Sequence, residues 1–206
     1  MSIDATIIVL GPGRVAEWAF DNQADYAKAC EEEAKFIPRL ETELSRQIGQ
    51  EIRLPASLLD MKSMSSGTDT ESYCEIVGGS EGLRWLQDSI ESFTAAQHNF
   101  RSSQPIGNIS ANELCSFHHI LKHDAVSGIF LPIDFPEPFT LEHRGDHISV
   151  ASLPRLRQEL QIWKEQIFPF HMQKNHNLAL VWQEYFDNLL SITDLALRQG
   201  KAIELI

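Results

Sequence analysis

Cysteine is scarce in this chain: three among 206 residues, at Cys30, Cys74 and Cys115. An odd, sparse set without paired spacing excludes the disulfide scaffold of a small secreted protein. Basic side chains are also few, 17 Lys and Arg against 29 Asp and Glu, for a formal net charge of -12. Such a chain is repelled by a nucleic-acid duplex or an anionic lipid surface unless a local basic stripe opposes the field, and the sequence has no such stripe. Long apolar runs are missing too. Ala5 to Leu10 is far too short to cross a bilayer, and Met1 to Thr6 lacks the basic start of a secretory signal. The expected location is the cytoplasm, with no membrane partner and no nucleic-acid partner.

What is present is a globular composition. Apolar residues make up 43% of the chain, too many for general disorder. The length suffices for one substantial core, so a single compact domain over 1–206 is expected. There is no internal repeat and no low-complexity tract.

Short apolar strands alternate with long helical stripes. Ala5 to Leu10 is rich in β-branched residues and stops at Gly11-Pro12-Gly13, which reads as a buried strand ended by a turn. Helical periodicity follows from about Arg14 to Gln47, with Pro38 as a break or kink and Gly49 as a closing residue. Glu51 to Leu54 reads as a short strand, Ser63 to Ser72 as a polar loop, and Tyr73 to Val77 as a strand. A helix is expected from about Gly82 to Asn99, with Leu83, Leu86, Ile90 and Phe93 as its buried seam. Ser110 to Glu113 has the pattern of a capping box, so another helix begins there and turns Leu114, Phe117 and Leu121 to the core. Gly128 to Phe135 and His147 to Ala151 read as strands, and Pro132 puts the first at a sheet edge or marks its end. Ser152 can cap a helix with the seam Leu153, Leu156, Leu160, Trp163 and Ile167, which Pro169 ends. The last helix covers about Asn177 to Gln199, Gly200 closes it, and Ala202 to Ile206 returns as a strand. The expected fold class is α+β, a small mixed or antiparallel sheet covered by four to five helices.

Three patterns carry possible chemistry. Gly78-Gly79-Ser80-Glu81-Gly82 matches G-x-S-x-G between a strand and a helix, the setting of a nucleophile elbow. Asp134 follows a strand and His147 or His171 comes later, which is the required order of serine, acid and histidine. Against this, Glu75 interrupts what would be a buried central strand, and a Glu81 beside the nucleophile opposes an oxyanion. The plainer reading makes Ser80 a helix cap behind turn glycines. Gly11-Pro12-Gly13-Arg14-Val15-Ala16 fits a dinucleotide fingerprint in outline, but the acidic strand end required about 20 residues on is replaced by a helical stretch. Cys115, His119 and His123 share one helix face at four-residue steps. The outer two lie about 12 Å apart along the axis, so one metal ion cannot hold all three. The plainer reading is a half-buried cysteine with two surface histidines near a helix end. No cofactor is expected. Trp18, Trp85, Trp163 and Trp182 lie on or beside apolar seams and read as core.

The acidic side chains cluster. Glu31, Glu32 and Glu33 form a run, and Asp69, Glu71 and Glu75 lie in a stretch whose one basic residue is Arg84. Read as a docking surface, these six carboxylates face a basic partner protein; read plainly, they are a solvated face.

Phe130-Leu131-Pro132-Ile133-Asp134-Phe135-Pro136-Glu137-Pro138, then Ser152 and the Leu-rich helix after it, resembles a pattern in small uncharacterised bacterial proteins. They carry a strand of the type Pro, Val or Ile, Asp, Phe, Pro, any residue, Pro, followed by a Ser-led helix. The resemblance covers the C-terminal half and departs from the pattern at Ala151, where a glycine is expected. It implies no activity and transfers no functional residue. The expected function is therefore a non-catalytic intracellular protein-interaction module of immunity or regulatory type. The alternative is a serine hydrolase using Ser80, Asp134 and a later histidine.

Overall fold

The computed structural model describes residues 4–11, 15, 19–59, 72–75, 79–100, 117–124, 128–143, 145–174 and 176–205. Within them six strands make one sheet: β1 (Asp4–Ile8), β2 (Ser72–Glu75), β3 (Gly128–Leu131), β4 (Phe139–His143), β5 (Asp146–Ser152) and β6 (Ala202–Leu205). The helices are α1 (Gln23–Ile48), α2 (Gly79–Phe100), the single turn α3 (His118–Leu121), α4 (Leu153–Ile162), α5 (Phe168–Lys174) and α6 (His176–Gln199), with a π-helical turn at Trp163–Ile167. Strand order is β2-β1-β6-β3-β5-β4. Every neighbouring pair is antiparallel except β3 and β5, so the sheet is mixed and the fold is α+β.

Period-two alternation gives the sheet two apolar faces. Ile7, Ile203, Phe130 and Ala151 stand side by side across four strands. They pack with Leu86, Ile90, Leu156, Leu160 and Trp163 from α2, α4 and the π turn, and with Phe186 and Leu189 from α6. The opposite face carries Ile8, Ile129, Leu131, Val150 and Ala202 and is covered by Phe36, Leu40 and Leu44 of α1. Those three recur at four-residue steps, one stripe of a helix. Asn22 caps α1 by accepting the Asp25 amide at 2.9 Å, and Gly49 closes it with φ 77°, where a side chain would be strained.

Several expectations change. α1 runs unbroken through Pro38, because that residue is exposed and water can serve the carbonyl its missing N–H abandons. Glu51 to Leu54 is not a strand: the Ile52 amide donates to Ser45 Oγ at 2.8 Å and the Leu54 amide to Glu41 Oε1 at 2.8 Å, so side chains of α1 take the place of a ladder. Pro169 does not end its helix. The wider π turn lets the chain restart as α5, where Pro169 sits in the first turn and its missing donor has no partner to lose. Pro132 lies just past β3, an internal strand, so it marks a strand end. β4 went unread because Pro136 and Pro138 obscure its start; its alternation of half-buried and exposed residues is that of an edge strand. The capping box at Ser110 to Glu113 and all of the Ser63 to Ser72 loop but its last residue lie outside the described residues; Ser72 opens β2 instead of ending a loop.

β6 joins the two halves of the sheet. Ile203 is fully buried between Ile7 and Phe130. Ile203→Ala is expected to cost about 2–5 kcal/mol, and removal of residues 202–206 to abolish cooperative unfolding, both read from urea denaturation. Gly128→Ala is expected to destabilise as well, since its Cβ would stand 2.8 Å from the Ser149 carbonyl oxygen across the β3–β5 ladder.

Candidate functional site

A set of polar side chains surrounds a cleft of about 240 Å³ between α3, α4 and the segment after β3. At its base is Glu159, 2% exposed. It lies three residues from Leu156 on the buried stripe of α4, so the packing of that stripe carries the carboxyl inward. Oε1 accepts the His119 amide at 2.9 Å and Oε2 the Ile120 amide at 2.8 Å. Glu159 thereby satisfies two orphan amides at the start of α3.

His119 braces the same corner. Its Nδ1 accepts the Ser152 amide at 3.0 Å, so in the neutral ring the proton is on Nε2 and points to the Pro136 carbonyl at 3.3 Å. Ser152 in turn caps α4, its Oγ accepting the Arg155 amide. At the rim, Glu137 is 2.7 Å from His118 Nδ1 and 2.6 Å from Lys122 Nζ, and Lys122 holds its carboxyl below the usual range. Arg155 Nε lies 2.5 Å from Asp134 Oδ1.

Burial pushes the Glu159 carboxyl up to about 8, against the pull of its two amide donors and of Arg155. Burial pushes His119 and His123 down to about 4. His123 is 3% exposed and stacks on Phe130 at 4.1 Å, in space that Gly128 leaves open. Neither of its ring nitrogens has a hydrogen-bond partner among the described residues.

The hydrolase set does not assemble. Gly79 and Ser80 already belong to the first turn of α2 instead of forming a turn ahead of it, and the Ser80 side chain lies outside the described residues. Asp134 is committed to Arg155. His147 is exposed on β5 opposite Glu142, and His171 donates from Nε2 to the Ser89 carbonyl at 3.1 Å, on another element. The acid therefore meets neither histidine. The metal set fares no better. Cys115 lies outside the described residues, both His119 nitrogens are used within the fold, and no group of three or more candidate ligands occurs among the described residues. The two histidines are also core residues, not surface ones, because α3 ends at Leu121 and the chain turns inward under α2.

Of the six predicted docking carboxylates, Glu31 is exposed and paired with Lys35 at 2.6 Å, and Glu32 is half-buried. Glu33 is a correction: at 1% exposure it faces inward, 3.3 Å from His143 Nε2, and pins α1 to β4. Asp69 and Glu71 lie outside the described residues. Glu75 ends β2 opposite Asp4, and its side chain is not described. Carboxylates without a cation at ion-pair distance among the described residues stand elsewhere: Asp88 and Glu91 on α2, Glu142 and Asp146 on the β4–β5 hairpin, Glu165 on the π turn and Glu184 on α6, all exposed. Sequence reasoning missed Glu159. Its signal was a charged residue on an otherwise apolar helical seam.

Taken together, these features define an acidic α+β protein whose cleft between α3 and α4 is committed largely to internal bonds and whose remaining charge includes a set of exposed carboxylates. The chain matches the family described as "Putative DNA-mimic protein" over residues 80–199, more than half its length, and belongs to that family. No curated protein and no solved structure matches it. The membership corrects the expected partner. The sequence leads one to expect a basic protein partner with nucleic acid excluded; a family described by its likeness to DNA overturns that exclusion, because the partner is then defined by DNA. Among the described residues no helix is long and apolar enough to cross a membrane.

The shifted groups predict a pH profile. Between pH 4.5 and about 8 the folded state keeps a proton on Glu159 that the unfolded chain has lost, so stability falls as pH rises. His119 and His123 act oppositely: the folded state lacks their protons between about 4 and 6.5, so stability rises through that window. Above pH 6.5 only the Glu159 slope remains of these three. Urea midpoints measured from pH 6.5 to 8 should fall in the native chain and stay level in Glu159→Gln; equal slopes would refute the assignment.

Proposed function

We propose that this protein occupies the DNA-binding surface of a DNA-binding protein, its exposed carboxylates standing where phosphates would. The observation that carries this reading is the family match over residues 80–199. The net charge of -12 supports it, as does the placing of Asp88, Glu91, Glu142, Asp146, Glu165 and Glu184 within the matched span. The Glu31–Glu33 run lies outside that span. A protein surface built to neutralise phosphates gains its affinity largely by charge, and a carboxylate surface that imitates the duplex draws on the same attraction. An immunity-type or regulatory role in the cytoplasm is the finer reading: covering the DNA site of a nuclease or regulator silences it without chemistry.

Competition tests this. DNA-binding proteins from the source extract, held on immobilised duplex, should be released in part by the chain at constant salt, and the same proteins by free duplex. A variant combining Asp88→Asn, Glu91→Gln, Glu142→Gln, Glu165→Gln and Glu184→Gln should release them at least about tenfold less well, if each lost contact is worth roughly 0.3 kcal/mol or more. No release, or undiminished release by the neutralised variant, would overturn the proposal.

A further inference from the structure

We propose that the cleft between α3 and α4 is a socket for a guanidinium group, supplied by an arginine side chain of the DNA-binding partner. Its other charges are closed in pairs: Arg155 rests on Asp134, and the two oxygens of Glu137 are taken by His118 and Lys122. Glu159 is the carboxylate lining the cleft that has no cation at ion-pair distance among the described residues. Its two amide bonds leave capacity unused, since an ionised carboxylate offers about four acceptor sites. A buried carboxylate so placed takes up either a proton or a cation.

A guanidinium suits the site better than an ammonium. It is more weakly hydrated, so stripping its water costs less, and its planar donors match the two oxygens of a carboxylate. The cleft, at about 240 Å³, exceeds the roughly 150 Å³ cavity that holds a benzene ring. Ile162, half-buried on its wall, offers apolar surface to the methylene stem. The inference rests on the DNA-mimic reading for the origin of the arginine, since DNA-binding surfaces are rich in that residue. The chemistry of the socket rests on the cleft alone.

Titration of the whole chain with N-acetyl-argininamide, read from the amide signals of His119 and Ile120, tests it. Saturable shifts are expected with this probe, at least fivefold weaker binding with N-acetyl-lysinamide, and none with neutral N-acetyl-citrullinamide. Arg155, Glu137, His118 and His119 face the same carboxyl. Because the cation displaces the proton that Glu159 holds up to about pH 8, binding should tighten by up to about tenfold for each unit that the pH rises toward that value and level off above it. Gln158→Lys, at an exposed position of α4 on the cleft wall, tethers a competing ammonium at the mouth and should weaken binding at least tenfold without touching the core. Glu159→Gln should abolish it. Equal shifts with the citrulline probe, equal affinity for the lysine probe, affinity independent of pH, or an unaffected Gln158→Lys variant would each overturn the socket. Probe binding by a chain that releases nothing from immobilised DNA would overturn the partner assignment alone; absent probe binding with DNA competition intact would overturn the socket alone.

Discussion

The sheet depends on the insertion of β6 between β1 and β3. Its antiparallel ladders on both sides are the only strand pairing that joins the β2-β1 pair to the β3-β5-β4 group among the described residues. Ile203 fills the row between Ile7 and Phe130, while Ala202 faces the opposite core with Ile8. A strand of four residues thus closes two hydrophobic layers at once. Contacts so distant in sequence carry a loop-closure cost in chain entropy, which the burial of Ile203 and Ala202 in the two cores offsets.

From that sheet the cleft follows. β5 hands directly into α4 through Ser152, whose hydroxyl caps the helix and whose amide is held by His119. Glu159, one helical face further on, anchors the amides of α3. One residue on each side therefore fixes the corner: a histidine of α3 serves the start of α4, and a glutamate of α4 serves the start of α3. Both side chains are buried in the forms that burial favours, a neutral imidazole and a carboxyl that resists ionisation.

Charge is distributed by the same logic. Acidic side chains on the buried stripes are consumed by the fold, as Glu33 is by His143, Glu41 by the Leu54 amide and Arg53, and Glu159 by α3. Those on solvent-facing turns of α2, α6, the π turn and the β4–β5 hairpin stand exposed to water. In the proposed function these latter groups are the ones that a partner adapted to phosphate meets. The family membership gives that acidity a direction that net charge alone lacks.

Local signals were legible where the physics is local. The seams of α2 and α4, the Ser152 cap, the Gly49 and Gly200 closures and the return of the chain as β6 all follow from spacing and backbone preference, and so did the α+β class. Where a proline could be tolerated was not local. Pro38 survives because it faces solvent, and Pro169 because a π turn precedes it. The candidate site was less legible still. A glutamate at position 159 and a histidine at position 119 show no spacing that marks them as partners 40 residues apart. The amino-acid sequence by itself determined most of the helices and strands, β4 and the 51–54 segment excepted, and that the protein is acidic. Only the tertiary structure decided which carboxylates are spent inside and which stay exposed, because burial is set by neighbours that distant parts of the chain supply.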